Sequence, residues 1–313
     1  MKFKVGTRGS KLSIVQTQLI LDTLTKMQSN LEFETITIKT KGDTDARPLY
    51  TIDRRGIFEK EVDAAVKEGR VDFAVHSLKD VPSLLPEGLV ITSIPKRETP
   101  YDVFVNDKRL RLKDIESGST IGTSSLRRVV QIKRIRPDVA VKPIRGNVET
   151  RVNKMMNKEF DAIVLAEAGL KRLGLEDFIV ERLPVEDFVP SPGQGATALV
   201  SRDDNTELNR ILKKIDDDKS RAEVTAERAL LLHINAGCRF PLGALGSANG
   251  SNLELYASVY SIDGGERIDV RKSGMMDSAE SLGTSVGNEL EEKGAMKLAT
   301  LWRDAVNEWG SKK

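Results

Sequence analysis

Eight cations fall between residues 121 and 151: Arg127, Arg128, Lys133, Arg134, Arg136, Lys142, Arg145 and Arg151. Only Asp138 and Glu149 oppose them in that stretch. A solvated helix face accounts for Lys133, Arg134 and Arg136 as well as an anion site does. Arg127 and Arg128 fit it less well. They fall in the first turn of an expected helix, where the macrodipole disfavours cations. Cations kept there point to an anion, with Thr123, Ser124 and Ser125 supplying hydroxyls and the helix start supplying N–H groups. Arginine also suits planar, two-pronged recognition of carboxylates. Arg8 and Ser10 repeat the arrangement in Thr7-Arg8-Gly9-Ser10. Arg145-Gly146-Asn147 makes a third basic turn, in which the glycine allows close backbone approach. Arginines at several separate turns imply a ligand with several separated anionic groups.

Two other places can carry chemistry. His76-Ser77-Leu78-Lys79-Asp80-Val81-Pro82 follows an apolar run that reads as a buried strand, and α/β proteins place their sites at the C-terminal ends of strands. Asp80 reads either as a turn residue before Pro82 or as an acid that stabilises a developing cation. Cys238 stands between Gly237 and Arg239. A lone cysteine is commonly a small buried apolar group, but small and cationic flanks lower a thiol pKa and make it nucleophilic. His76 and His233 read as structural. One cysteine and two histidines all but exclude a Cys/His zinc site, an argument that does not reach a carboxylate-based Mg²⁺ site; no metal is expected.

These residues need elements to hold them. The 313 residues, 39% hydrophobic and 31% charged, have the composition of an ordinary globular chain with room for two or three domains. Net charge is +2, so an anion site must come from local clustering. No apolar run has signal-peptide or membrane-spanning length, so a cytoplasmic protein without membrane contact is expected. Strands are expected at 2–5, 34–39, 71–75, 102–105, 120–122, 139–143 and 162–165. Helices are expected at 11–27, 58–67, from just after Thr123-Ser124-Ser125 to about 135, at 149–156 and from 166 to 173. Strand–TRGS–helix and strand–TSSLRR–helix form a weak internal repeat, which suggests two similar α/β domains. Residues 191–195 (SPGQG) suit a crossover, and 203–219 reads as a charged surface helix. After residue 220 come a helix at 221–233, strands at 253–260 and 267–272 around Asp263-Gly264-Gly265, and two final helices, a smaller α+β domain.

Taken together, eight segments resemble the porphobilinogen deaminase family almost end to end: TRGSKLSIVQ (7–16), HSLKDVP (76–82), GTSSLRR (122–128), RGNVETR (145–151), LAEAGLKRLG (165–174), PGQGA (192–196), TAERA (225–229) and AGCRFPLG (236–243). The resemblance implies an α/β fold with two domains like the halves of periplasmic binding proteins, 1–95 with 196–215 and 101–190. A smaller α+β domain, 218–313, carries the cofactor loop. The implied enzyme is a transferase that condenses porphobilinogen into hydroxymethylbilane on a dipyrromethane cofactor, joined to Cys238 by a thioether. Asp80 is the implied catalytic group. The implied cofactor-binding set is Ser77, Lys79, Asp80, Thr123, Ser124, Ser125, Arg127, Arg128, Arg145 and Gly146. Arg8, Ser10, Gln16, Arg145, Arg151, Arg172 and Gln194 are the implied substrate contacts, and Glu227 and Arg228 are expected to tie the third domain to the others. A lid over about 43–56 keeps a cation at Arg55 but lacks glycines that many relatives have there. The partner is the small molecule porphobilinogen, without nucleic acid or membrane, and a monomer is expected.

Two other readings stay open on the residues alone. A two-lobed anion-binding protein explains the arginine turns but not the Gly-Cys-Arg loop. A nucleic-acid binder using residues 121–151 fits poorly with a net charge of +2 and 5% aromatics.

Overall fold

A computed structural model describes residues 1–44, 59–234 and 240–302. Arg55, nearly all of the 43–56 loop and Cys238 lie outside the described residues. The chain divides into two units. The first holds residues up to 44, 59–98 and 195–221, and the second holds 99–194 and the described residues from 222 onward.

The first unit opens with β1 (Lys2–Arg8), α1 (Lys11–Met27), β2 (Glu32–Ile38) and a single turn, α2 (Lys41–Thr44). It continues with α3 (Lys60–Lys67), β3 (Phe73–Ser77) and β4 (Leu89–Ser93), and regains the chain at β10 (Thr197–Arg202) and α7 (Thr206–Leu212). The sheet order is β2-β1-β3-β10-β4. β2, β1 and β3 run parallel, and β10 lies antiparallel to both of its neighbours. Helices cover both faces, so alternate residues of one strand enter opposite cores. Phe73, Val75 and Leu199 pack with Leu21 and Leu24 of α1, whereas Ala74 and Val200 pack with Val62 and Val66 of α3.

The second unit begins with β5 (Asp102–Val105), β6 (Thr120–Gly122), α4 (Leu126–Ile135), β7 (Ala140–Lys142) and α5 (Val148–Met156). β8 (Ala162–Ala166), α6 (Glu167–Arg172) and β9 (Ile179–Arg182) complete its first sheet, in the order β7-β6-β8-β5-β9. Three strands again run parallel, with an antiparallel fourth between the third and fifth. TRGS spans the end of β1 and the turn into α1, and TSSLRR leads from β6 into α4; β1 and β6 are each the second strand of their sheet, so the weak sequence repeat corresponds to a repeated topology.

A smaller α+β portion follows. α8 (Asp218–Ile234) and α9 (Ala279–Glu292) pack on an antiparallel meander of β11 (Leu242–Asn249), β12 (Asn252–Tyr260) and β13 (Arg267–Met275). Residues 295–302 are again helical. Asp263-Gly264-Gly265 forms the β12–β13 connection, and Gly264 takes a φ of +75°.

Three expectations need correction. The 203–219 stretch is not one helix, because α7 ends at Leu212, a tight turn follows at Lys213–Ile215, and Asp217 starts α8 by accepting the Ser220 N–H at 2.8 Å. That cap also moves the start of α8 back from 221 to Asp218. Periodicity assigned no strand to β4, β9, β10 or β11. β10 is buried on both faces and so has no polar alternation, and β11 is built of small residues and glycine, which carry little strand preference.

Candidate active site

In the first unit, the turn after β1 is fixed by Ser10. It caps α1 by accepting the Ser13 N–H at 3.3 Å and donates its hydroxyl to Ser13 Oγ at 2.8 Å. One turn on, Gln16 is buried and its amide joins three elements. Nε2 donates to the His76 carbonyl at 3.1 Å and to Thr197 Oγ1 at 2.9 Å, and Oε1 accepts from Ser77 Oγ at 3.1 Å. Gln16 and Ser77 thereby set where β3 ends and where Leu78–Asp80, a single 3₁₀ turn, begins. The His76 ring meets Asp63 of α3 at 3.0 Å, buried, in line with a structural histidine. Lys79 is exposed and Asp80 half-buried.

Beside that turn lies a residue sequence reasoning missed. Glu59, just before α3, is 2% exposed. Burial pushes its carboxyl up to about 9, with Asp80 and Asp63 adding in the same direction and Arg8 opposing them. Glu59 is therefore a neutral acid at pH 7, grouped with the Asp80 carboxylate and the Arg8 guanidinium. In sequence it lies within Glu59-Lys60-Glu61, which reads as an ordinary charged helix start.

In the second unit, the turn between β6 and α4 is tied down by its hydroxyls. Ser124 Oγ donates to the Ile144 carbonyl at 2.7 Å and accepts the Ile144 N–H at 3.1 Å. Thr123 Oγ1 accepts the Ser125 N–H at 3.2 Å, and the Ser125 side chain makes no cap of its own. Arg127 and Arg128 are both buried. The anion that accompanies them is Asp102, the first residue of β5, which is wholly buried. Arg127 Nη1 lies 2.8 Å from one carboxylate oxygen, and Arg128 Nη2 lies 2.6 Å from the other. Gln194 is placed here too, donating to Asp102 at 2.9 Å and to the Pro100 carbonyl at 2.8 Å. Burial alone would raise the Asp102 carboxyl; the two guanidinium groups outweigh it and hold it at about 2. The same burial lowers Arg127, with Asp102 working against the shift. Asp102 escaped sequence reasoning because it falls outside the basic window, although an aspartate opening an apolar strand was a usable signal.

The third basic turn has the geometry its glycine suggested. Gly146 has a φ of +116°, and a Cβ there would lie 2.5 Å from Thr150 Cγ2. Asn147 caps α5 through the Thr150 N–H at 2.8 Å, and Arg151 donates back to the Gly146 carbonyl at 2.8 Å. Arg145, Arg151 and Arg172 are all half-buried. Lys133, Arg134 and Arg136 serve the fold: Lys133 holds the Val139 carbonyl, Arg134 the carbonyls of Gly264 and Gly265, and Arg136 the Asp138 carboxylate. In α8, Glu227 is wholly buried and accepts the N–H groups of Gly193 at 2.6 Å and Gly246 at 2.8 Å. Burial pushes the Arg228 guanidinium down to about 10. Among the described residues there is no group of His, Cys, Asp and Glu able to hold a metal, and no helix long and apolar enough to cross a membrane.

The fold and these side chains define a class: an α/β protein with a repeated sheet plan, an added α+β portion, and hydroxyls and guanidinium groups at its strand-to-helix turns. Comparison with known proteins narrows the class. Residues 3–210 match the family model "Porphobilinogen deaminase, dipyromethane cofactor binding domain", and residues 221–292 match "Porphobilinogen deaminase, C-terminal domain". A probable porphobilinogen deaminase of Nitrosopumilus maritimus is 54% identical over 309 residues, covering 99% of each chain. One from Hyperthermus butylicus is 44% identical, over 96% of this chain and all of that one. Among solved structures, the Bordetella pertussis BvgS VFT2 domain aligns with a TM-score of 0.41 at 18% identity, covering 71% of this chain and 91% of that one. The chain belongs to the porphobilinogen deaminase family.

Proposed function

We propose that the chain condenses four porphobilinogen units head to tail, losing ammonia at each addition, and releases hydroxymethylbilane with water. The observation that carries this reading is the family match over residues 3–210 and 221–292, with the Asp80 turn, the arginine turns and the cysteine loop inside or between the matched segments. A dipyrromethane primer on Cys238 belongs to it. Each pyrrole bears an acetate and a propionate, so the ligand is a ladder of carboxylates. The donor set fits that demand: Arg127 and Arg128 share one internal carboxylate and so keep a net positive charge, and Gly146 leaves backbone bare beside Arg145. Thr123, Ser125, Lys79, Arg145 and Arg151 would hold the primer's side chains and those of the growing chain, with Arg8 on the incoming pyrrole, while Ser124 and Ser10, whose hydroxyl protons go to the Ile144 carbonyl and to Ser13 Oγ, would set the turns. Bound there, the primer supplies an electron-rich pyrrole α-carbon.

Asp80 is the catalytic residue of this reading. Departure of ammonia leaves positive charge on the methylene of the incoming pyrrole. The Asp80 carboxylate accepts the pyrrole N–H and stabilises that charge. Neutral Glu59 beside it spares Asp80 a second negative charge. In this reading Gln16, Ser77 and Gln194 act by setting backbone and carboxylate positions, since their side chains bond within the protein. The same reading takes the protein as a cytoplasmic monomer without nucleic-acid or membrane partners. Its domains run over 1–95 with 196–215, 101–190 and 218–313.

Intact mass of the purified protein tests the primer. The expected result is an added mass equal to two porphobilinogen units less two ammonia, located on Cys238 by peptide mapping. An unmodified, fully active protein refutes it. Asp80→Ala should keep the fold and lose on the order of 10²-fold or more in kcat; turnover near that of the parent removes Asp80 from its role.

A further inference from the structure

Arg127 and Arg128 are adjacent, buried and of like charge, a placement that costs free energy unless a counter-charge is built in. The built-in counter-charge is one carboxylate. Asp102 touches Arg127 Nη1 at 2.8 Å with one oxygen, and Arg128 Nη2 at 2.6 Å and Nε at 3.1 Å with the other. Its orientation is fixed from a third side by Gln194 at 2.9 Å, an amide itself tied to the Pro100 carbonyl. The guanidinium groups are pinned in turn by main-chain carbonyls, Arg127 by Val189 at 2.6 Å and Arg128 by Val164 at 2.9 Å. Two cations against one anion leave a single positive charge, held rigidly at the start of α4.

We infer that Asp102 is a positioning residue: it orients the Arg127–Arg128 pair and cancels half its charge, so that the pair takes up one carboxylate of a pyrrole ligand. The inference rests on the function proposed above. Without Asp102 the pair would carry two uncompensated charges, and the guanidinium groups would repel each other out of register. With a second internal acid the pair would have no charge left for a ligand. The low exposure of all three side chains makes each charge count, because water screens little there.

The test uses the full chain with Asp102→Asn, which keeps size and removes the charge, beside Asp102→Glu, which keeps the charge. Folding is followed by circular dichroism, primer content by intact mass, and kcat and KM with porphobilinogen. Asp102→Asn should fold but carry primer on only a small fraction of molecules, with KM in that fraction raised about tenfold or more. Asp102→Glu should regain most of the primer loading. A folded Asp102→Asn protein with full primer and the parent's KM overturns the inference. If Asp102→Asn fails to fold, Gln194→Ala decides: loosening the carboxylate should raise KM several-fold with kcat little changed, and parental KM overturns the proposal. A parent protein with neither primer nor activity defeats the underlying function and this inference with it, whereas an active parent beside an indifferent Asp102→Asn defeats this inference alone.

Discussion

Glu59 and Asp102 are both buried carboxyls, and their neighbours push them in opposite directions. Burial, with Asp80 and Asp63 beside it, holds Glu59 protonated, its ordinary value of 4.5 pushed up to about 9. The folded state therefore binds a proton that the unfolded chain gives up above 4.5. The contribution of Glu59 to stability is fully present below that pH and declines as pH rises toward 9. Glu59→Gln mimics the neutral acid and should remove this decline, raising stability by about 5 kcal/mol at pH 8.5 while changing little at pH 4. Urea denaturation at the two pH values checks it, and an unchanged pH slope would count against a neutral Glu59. Asp102 runs the other way. Its value falls from 3.8 to about 2, so its contribution is present above 3.8 and is lost as pH drops through 2.

Close approach of elements depends on a few small residues. Gly283 and Gly287, four apart on α9, face α8. A Cβ on Gly283 would lie 2.3 Å from the Ala226 carbonyl oxygen, and one on Gly287 would lie 2.4 Å from the His233 ring. Backbone cannot yield as a flexible side chain can, so Gly283→Ala should cost about 1–3 kcal/mol in denaturant unfolding. The turn after β6 depends on one hydroxyl in the same way. Ser124→Ala strands a buried N–H and a buried carbonyl of Ile144 and should cost about 1–3 kcal/mol. Loss of α4 hydrogen-exchange protection would accompany it. Helix boundaries of this kind were legible: α1 was expected over Lys11–Met27 and runs over those residues, because Ser10 and the apolar spacing are local signals. Of the strands that escaped, β4, β9 and β10 pair with segments distant in the chain, and β11 is built of small residues and glycine.

At the scale of the whole chain, the sheet of the first unit closes only when residues 197–202 return. β10 sits between β3 and β4, pairing Leu199 with Val75 on one side and with Ser93 on the other. A chain ending at residue 194 would leave β3 and β4 without their common neighbour and expose Phe73 and Val75. Such a fragment should fail to give a cooperative melt, and limited proteolysis should cut it within 59–98. A cooperatively folded fragment would mean that β10 is dispensable to that sheet.

Local chemistry was legible in the sequence alone: which turns carry hydroxyls and arginines, where Asp80 follows a strand, that the glycine of the 145–147 turn allows close backbone approach, and which family the ordered segments resemble. These are matters of adjacent residues, and adjacency is what a sequence records. The tertiary structure decided the partners. Asp102 meets Arg128 from 26 residues away and Gln194 from 92. Gln16 reaches Thr197 across 181 residues. Glu59 becomes a neutral acid only because folding removes it from water beside Asp80 and Asp63. Charge state and hydrogen-bond pairing depend on burial and on neighbours distant in the chain, and the order of residues specifies these only through the completed fold.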